Sequence, residues 1–204
     1  MATERELKLT GILPKLEGVT SIAGVPLRFL RLEHQINVYF DTPQLTLRHG
    51  GSSLRLRRVE NGEHVFTWKG ASQILGGWHS KQEIEVPAGE ANTIQDLTEP
   101  SILEKLGDVK LEQLVPICRF DTARAIYQLE GIGELCLDSV QIKRGEEMIE
   151  TFEELELEAL ETADETKLQQ VALTLTAMGR LEPSALSKSA RALRALGIQA
   201  ALSV

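Results

Sequence analysis

The residues of this 204-residue sequence that could do chemistry are charged, and they recur two positions apart. Glu4, Glu6 and Lys8 alternate with Leu7 and Leu9, and Arg55 and Arg57 alternate with Leu54 and Leu56. Lys69 shares the parity of Val65 and Thr67, opposite Phe66 and Trp68. Lys81, Glu83 and Glu85 oppose Ile84 and Val86, and Glu154, Glu156 and Glu158 oppose Leu155 and Leu157. In a β-strand, residues of one parity share a face. Any one of these segments, taken alone, reads as a solvated polar face. Together they are harder to dismiss, because like charges on one face repel and an open surface gains little from such segregation. A concave surface that holds ligands of both signs accounts for it. Paired carboxylates hold a hard divalent cation through oxygen ligands. Paired arginines and lysines hold phosphate oxygens, with guanidinium forks adding bidentate geometry. A polyphosphate–metal complex would satisfy both sets.

Strands must position these residues, and the sequence supplies them. Period-2 alternation between turn signals (Asn61-Gly62, Gly76-Gly77, Gly131-Ile-Gly133) predicts strands near 3–10, 35–41, 53–60, 63–70, 80–87, 115–129, 133–144 and 150–160. The stretch Glu153–Glu161 has a helical alternative, since Glu, Leu and Ala favour helix. A short helix is expected after Pro14, and another over 93–107 with Asn92 or Thr93 as cap and Gly107 as stop. A C-terminal pair is expected over 164–179 and 184–196, with Asp164 and Ser184 as N-caps and Gly197 as stop. The expected class is α+β: a barrel-like antiparallel sheet with flanking and C-terminal helices, forming one domain over residues 1–204.

Composition narrows the function. A net charge of −8 speaks against nonspecific binding to nucleic acid or anionic membrane, and 4% aromatic residues leave little for a base-stacking platform. No apolar run approaches the ~18 residues of a membrane helix, and the N-terminus shows no signal-peptide pattern. Cys118 and Cys136 are the only cysteines, so a disulfide scaffold is excluded and a reducing cytoplasm is the expected location. Gly50-Gly51 and Gly76-Gly77 are not followed by a phosphate-loop Lys-Ser/Thr and read as hairpin turns. The four histidines (34, 49, 64 and 79) lack zinc spacing, no Ser-His-Asp or Cys-His set is suggested, and Trp68 and Trp78 read as packing residues.

The ordered motifs carry a resemblance. Glu4-Arg-Glu6-Leu-Lys8 is followed by Tyr39-Phe-Asp-Thr-Pro43, Ser53-Leu-Arg55-Leu-Arg57, Thr67-Trp-Lys69-Gly70 and Lys81-Gln-Glu83-Ile-Glu85. Then come Arg119 with Arg124, Leu137-Asp138, the Glu154/Glu156/Glu158 ladder and Ser187-Lys188-Ser-Ala-Arg191. This set resembles the CYTH family, or triphosphate tunnel metalloenzymes, over roughly residues 2 to 196. The family includes class IV adenylate cyclases, thiamine triphosphatases and bacterial inorganic triphosphatases.

The resemblance implies an eight-stranded antiparallel barrel around a charged tunnel, closed by the helical pair at 164–196. It implies Glu4 and Glu6 as the first metal-binding pair, with Glu83, a tunnel acid, and Glu85 on its face as further metal-binding residues. Lys8, Arg55, Arg57, Lys69 and Lys188 become phosphate contacts, with Arg119 and Arg124 alternatives for another. Arg124 is preferred as tunnel-facing because, five residues apart, the two cannot face the same way without a bulge. Asp138, Glu154 and Glu156 form a far cluster that binds metal or orients water, and with Lys8 they make up the implied catalytic residues; Glu158 is left outside the cluster. The implied cofactor is Mg²⁺ or Mn²⁺ and the implied partner a small triphosphate, with no nucleic acid or membrane. The implied activity is hydrolysis of inorganic triphosphate to phosphate and pyrophosphate, the branch that Leu186-Ser-Lys188-Ser-Ala-Arg191 most resembles. Adenylate cyclase, thiamine or nucleoside triphosphatase, and a non-catalytic polyphosphate-binding module are the alternatives. The seven bases and seven acids of this set sum to zero, so the whole −8 belongs to the rest of the chain.

Overall fold

The computed structural model describes residues 2–60, 62–75 and 78–198. Eight antiparallel strands form a ring: β1 (Ala2–Ile12), β3 (Val25–Asp41), β4 (Ser53–Val59), β5 (Val65–Lys69), β7 (Trp78–Pro87), β8 (Val115–Leu129), β9 (Gly133–Arg144) and β10 (Glu147–Ala159). Pairing runs β1-β10-β9-β8-β3-β4-β5-β7, and β7 returns to pair with β1, so the sheet closes around a tunnel. Three short strands attach to the ring: β2 (Ser21–Ile22), β6 (Gln73–Leu75) and β11 (Arg180–Pro183). The helices are α1 (Thr46–His49), α2 (Pro100–Leu103), α3 (Glu165–Met178) and α4 (Lys188–Ala195). None of the described helices is long and apolar enough to cross a membrane.

The alternation of each strand puts leucines outside and charges inside. On one flank, Leu7, Leu9, Leu155 and Leu157 pack against Leu168, Val171 and Leu175 of α3. On the other, Leu54, Leu56, Phe66 and Trp68 pack beneath Ile94, Leu97, Ile102 and Leu106 of the segment around α2. The apolar cores therefore lie between the ring and its helical covers. The ring's own interior turns apolar at one end, where Phe120, Val140, Ile142 and Phe152 meet Ala192 and Leu193 of α4. Burying apolar surface on both sides of the ring leaves the middle of its lumen to polar side chains.

Several elements differ from the sequence expectation, each for a local reason. No helix follows Pro14; residues 13–16 are irregular, with Leu16 inserted in the core before a turn at Gly18. Strand β3 starts at Val25 rather than 35: Val25 and Leu27 alternate into the core, but a register shift between Phe29 and Arg31 and the mostly exposed residues 28–34 break the alternation before it resumes at Gln35. The helix expected over 93–107 breaks into 3-10 turns at Ile94–Asp96 and Glu104–Leu106 around α2, which begins at Pro100. The helix expected from Ser184 starts at Lys188, since Arg180–Pro183 pairs with β1 and Ser187 is the N-cap, accepting from the Ala190 N–H. Asp164 caps α3 through the Lys167 N–H. Gly197 ends α4 at φ 72, with Ile198 N–H bonded to the Leu193 carbonyl. Glu153–Ala159 is strand, not helix. Gly50-Gly51 ends α1 rather than turning a hairpin, and Asn61 and Gly76-Gly77 lie outside the described residues.

Candidate active site in the tunnel

Strand register builds the site. Across the ladders, Glu4 faces Lys81, Glu6 faces Glu158 and Lys8 faces Glu156. Arg124 and Glu154 both face Asp138, Arg55 and Glu85 face Thr67, and Lys69 faces Glu83. Two cavities, of about 460 and 430 Å³, open toward opposite ends of the ring and share Glu4, Arg57, Lys69, Arg124 and Glu158.

Three groups of side chains surround this space, with Asp138 and Glu154 of the second buried behind its lining. The first is acidic: Glu4, Glu6 and Glu158 each offer a carboxylate oxygen, all within 4.8 Å of one another. Glu83 adjoins them. Burial and a hydrogen bond to Glu4 push its carboxyl up to about 8, against the nearby Lys69 ammonium, so Glu83 is protonated at neutral pH. Glu4 itself is held low: burial opposes ionisation, but the Glu83 hydrogen bond and the charges of Lys69 and Lys81 prevail.

The second group is a closed lattice of three acids and three bases. Arg124 holds Asp138 bidentately, Nε to Oδ1 at 2.8 Å and Nη2 to Oδ2 at 2.7 Å, and its Nη2 also reaches Glu156 Oε2 at 2.6 Å. Lys188 reaches Asp138 at 2.9 Å and Glu156 at 2.7 Å, and also bonds Glu154. Lys8 joins Glu156 at 2.5 Å and Glu6 at 3.0 Å. Glu156 is thereby held well below the ordinary carboxylate range although burial opposes it. Glu154 is shifted up, by burial first and then by the Glu156 charge, despite Lys188.

The third group is basic and underpaired. Arg55 is 6% exposed; its Nη2 reaches Thr67 Oγ1 at 2.9 Å and Glu85 at 3.2 Å, while its Nε is buried with no partner. Arg57 reaches only Asn37 Oδ1, at 3.4 Å, and has no ion-pair partner among the described residues. Burial and the neighbouring Arg55 and Arg124 charges lower its guanidinium to about 10. Unpaired cations are costly to bury, and here both arginines line the larger cavity together with Glu4, Glu6 and Glu158. That arrangement can take a compact polyanion on one side and a hard dication on the other.

Most residues singled out in the sequence thus meet in one lumen, with one exception and two omissions. Arg119 lies on the outer face of β8, its Nε 3.3 Å from Asp121 and its side chain 39% exposed, because the strand keeps its alternation between 119 and 124. Glu158, expected outside the far Asp138/Glu154/Glu156 cluster, instead completes the three-carboxylate cluster with Glu4 and Glu6. Lys81, noted only for its parity, lies against Glu4 and Glu6. Parity marked both as facing inward; their partners depend on which strands are neighbours. The tryptophans face outward: Trp68 is core beneath Lys105, and Trp78 packs on the opposite flank beneath Arg5.

The Tyr39-Phe-Asp-Thr-Pro43 motif also finds its place. Asp41 accepts from the Thr42 and Leu47 N–H groups through Oδ1 and from the Arg48 N–H through Oδ2. It thus fixes α1, which carries Arg48 and His49 to the mouth of the larger cavity beside Ser187 and Lys188.

Solved structures share this ring. The Hippeastrum protein HpAC1, described as a candidate adenylyl cyclase with a dominant triphosphatase activity, matches with TM-score 0.63 and 22% identity, covering 98% of this chain and 99% of its own. The PH1819 protein of Pyrococcus horikoshii matches at 0.60 and 20%, covering 93% and 98%. A candidate adenylate cyclase of Bacillus halodurans matches at 0.55 and 20%, covering 98% and 93%. No curated protein matches the sequence. The CYTH domain family matches over residues 2–193, nearly the whole ring with its α3 and α4 covers, and the chain belongs to that family.

Proposed function

We propose that this chain is a divalent-metal-dependent hydrolase of inorganic triphosphate, releasing phosphate and pyrophosphate. The observation that carries the reading is the underpaired Arg55–Arg57 pair opposite the Glu4/Glu6/Glu158 cluster in one lumen. Phosphoryl transfer needs charge neutralisation and in-line positioning more than covalent chemistry. Arg55, Arg57 and Lys69 take the phosphate oxygens and spread the charge that develops on them. Glu4, Glu6 and Glu158 fit a Mg²⁺ or Mn²⁺ ion in donor type and spacing, and such an ion supplies charge neutralisation from the opposite side. Glu83 and Glu85 support this wall through Lys69 and Arg55. Asp138 and Glu156 position Arg124, Lys8 and Lys188, with Lys188 reaching the lattice from α4. Glu154, its carboxyl shifted up by burial, holds Lys188 from behind the cavity lining and so positions it toward the substrate.

The lining favours an inorganic chain over a nucleotide or thiamine ester. Apart from histidines, Tyr39 is the only aromatic ring among the described residues lining the larger cavity, and it stacks on Phe120 at 5.6 Å. The mouth offers Arg48, His49 and small polar residues, which suit another phosphate better than a base. The Hippeastrum neighbour's described triphosphatase activity supports hydrolysis over cyclisation. A phosphate-release panel tests it: inorganic triphosphate, ATP, thiamine triphosphate and long-chain polyphosphate, each with Mg²⁺ and with Mn²⁺, and cyclic AMP measured from the ATP sample. Inorganic triphosphate should give the highest kcat/KM; cyclic AMP as the main product would replace the reading with a cyclase.

A further inference from the structure

Three lysines touch the metal-type carboxylates, and they are not equivalent. Lys8 divides its contacts between Glu6 and Glu156, and Lys69 divides its between Glu4 and Glu83. The ion pairs of Lys81 go only to the cluster itself: its Nζ is 3.2 Å from Glu4 Oε2 and also bonds Glu6 Oε1. It projects from the strand position directly opposite Glu4, its side chain is 9% exposed, and it lines the same cavity as Arg55, Arg57 and Lys69. An ammonium and a divalent ion cannot share these oxygens, because at about 3–4 Å their repulsion is severe in a buried site.

We propose that Lys81 is a tethered counter-ion that holds the Glu4–Glu6 pair in the metal-free protein, leaves it when the dication binds, and then serves as a phosphate contact. This rests on the metal-dependent triphosphatase reading above. Released from the carboxylates, the ammonium has the substrate cavity beside it, so one side chain moves its charge from the acidic wall to the anion. Metal and triphosphate binding then favour each other, since each takes a state in which Lys81 has left the acids.

The test is Mn²⁺ binding by calorimetry without substrate, in wild type, Lys81→Met and Glu6→Gln. A site blocked by its own lysine binds metal less tightly in proportion to the fraction of time it is free, so Lys81→Met should tighten the Mn²⁺ dissociation constant on the order of tenfold. The same variant should raise KM for triphosphate severalfold. If wild type binds Mn²⁺, Glu6→Gln does not, and Lys81→Met binds no tighter than wild type, the metal site stands and the counter-ion role is overturned. If neither wild type nor Lys81→Met binds Mn²⁺, both fall. Should Lys81→Met not fold, lysine ¹³Cε NMR of the wild type decides, with the Lys81 resonance assigned through Lys81→Arg. That resonance should shift on adding Mg²⁺ alone, and an unshifted signal at saturation would overturn the proposal.

Discussion

Arg57 is a half-buried guanidinium with no described carboxylate partner, so removing it breaks no ion pair and its charge is available to a ligand. Arg57→Ala should leave the melting temperature unchanged or raise it while lowering kcat/KM for triphosphate by about 10²–10³-fold, the cost of losing one preorganised donor. Arg119→Ala, on the outer face, should stay within about twofold of wild type under the same assay. Glu83 gives a prediction in pH. Its folded carboxyl titrates near 8 against 4.5 for the ordinary group, so the native state holds a proton that the unfolded chain releases. The stability this contributes is fully present below about pH 4.5 and is lost as pH rises through about 8. Urea unfolding of the metal-free protein between pH 5 and 9 should show that decline, and Glu83→Gln should flatten it. An unchanged slope in Glu83→Gln would assign the proton to another group.

At the scale of elements, the site depends on strands approaching closely enough to keep register. Gly133 begins β9 where that strand meets the end of β10, and a Cβ there would lie 1.9 Å from the Glu158 carbonyl oxygen. Gly133→Ala should therefore cost about 1–3 kcal/mol in urea unfolding and also weaken Mn²⁺ binding, because the backbone it displaces carries Glu158. At the opposite end, Leu193 of α4 is 2% exposed against the ring interior, so Leu193→Ala should cost roughly 2–5 kcal/mol. Since Lys188 sits on the same helix, that variant should lose activity beyond its loss of stability. The charged strand faces were legible in the sequence because alternation between leucine and charge is a local signal. The first half of β3 was not, because a register shift between Phe29 and Arg31 interrupts its alternation, and neither was the short β11, whose pairing with β1 moves the start of α4. Glu158 and Lys81 carried the right parity, but their partners follow from which strands neighbour which, a long-range property that no local pattern encodes.

Over the whole molecule, the net charge of −8 and a tunnel for anions are compatible because the charges are sorted by position. Two apolar cores on the outside of the ring take up the leucines, and the lumen holds acids and bases nearly in balance, to which bound dications would add positive charge. An acidic exterior would disfavour large polyanions such as nucleic acid, while both cavities present basic residues that the proposed triphosphate would meet. The most direct test of this account is the initial rate of phosphate release from inorganic triphosphate, with Mg²⁺, with Mn²⁺ and with neither, in wild type and in Glu4→Gln/Glu6→Gln. The account predicts turnover only with metal and a loss on the order of a hundredfold or more in the double variant. Full activity in that variant, or metal-independent turnover in the wild type, would contradict it.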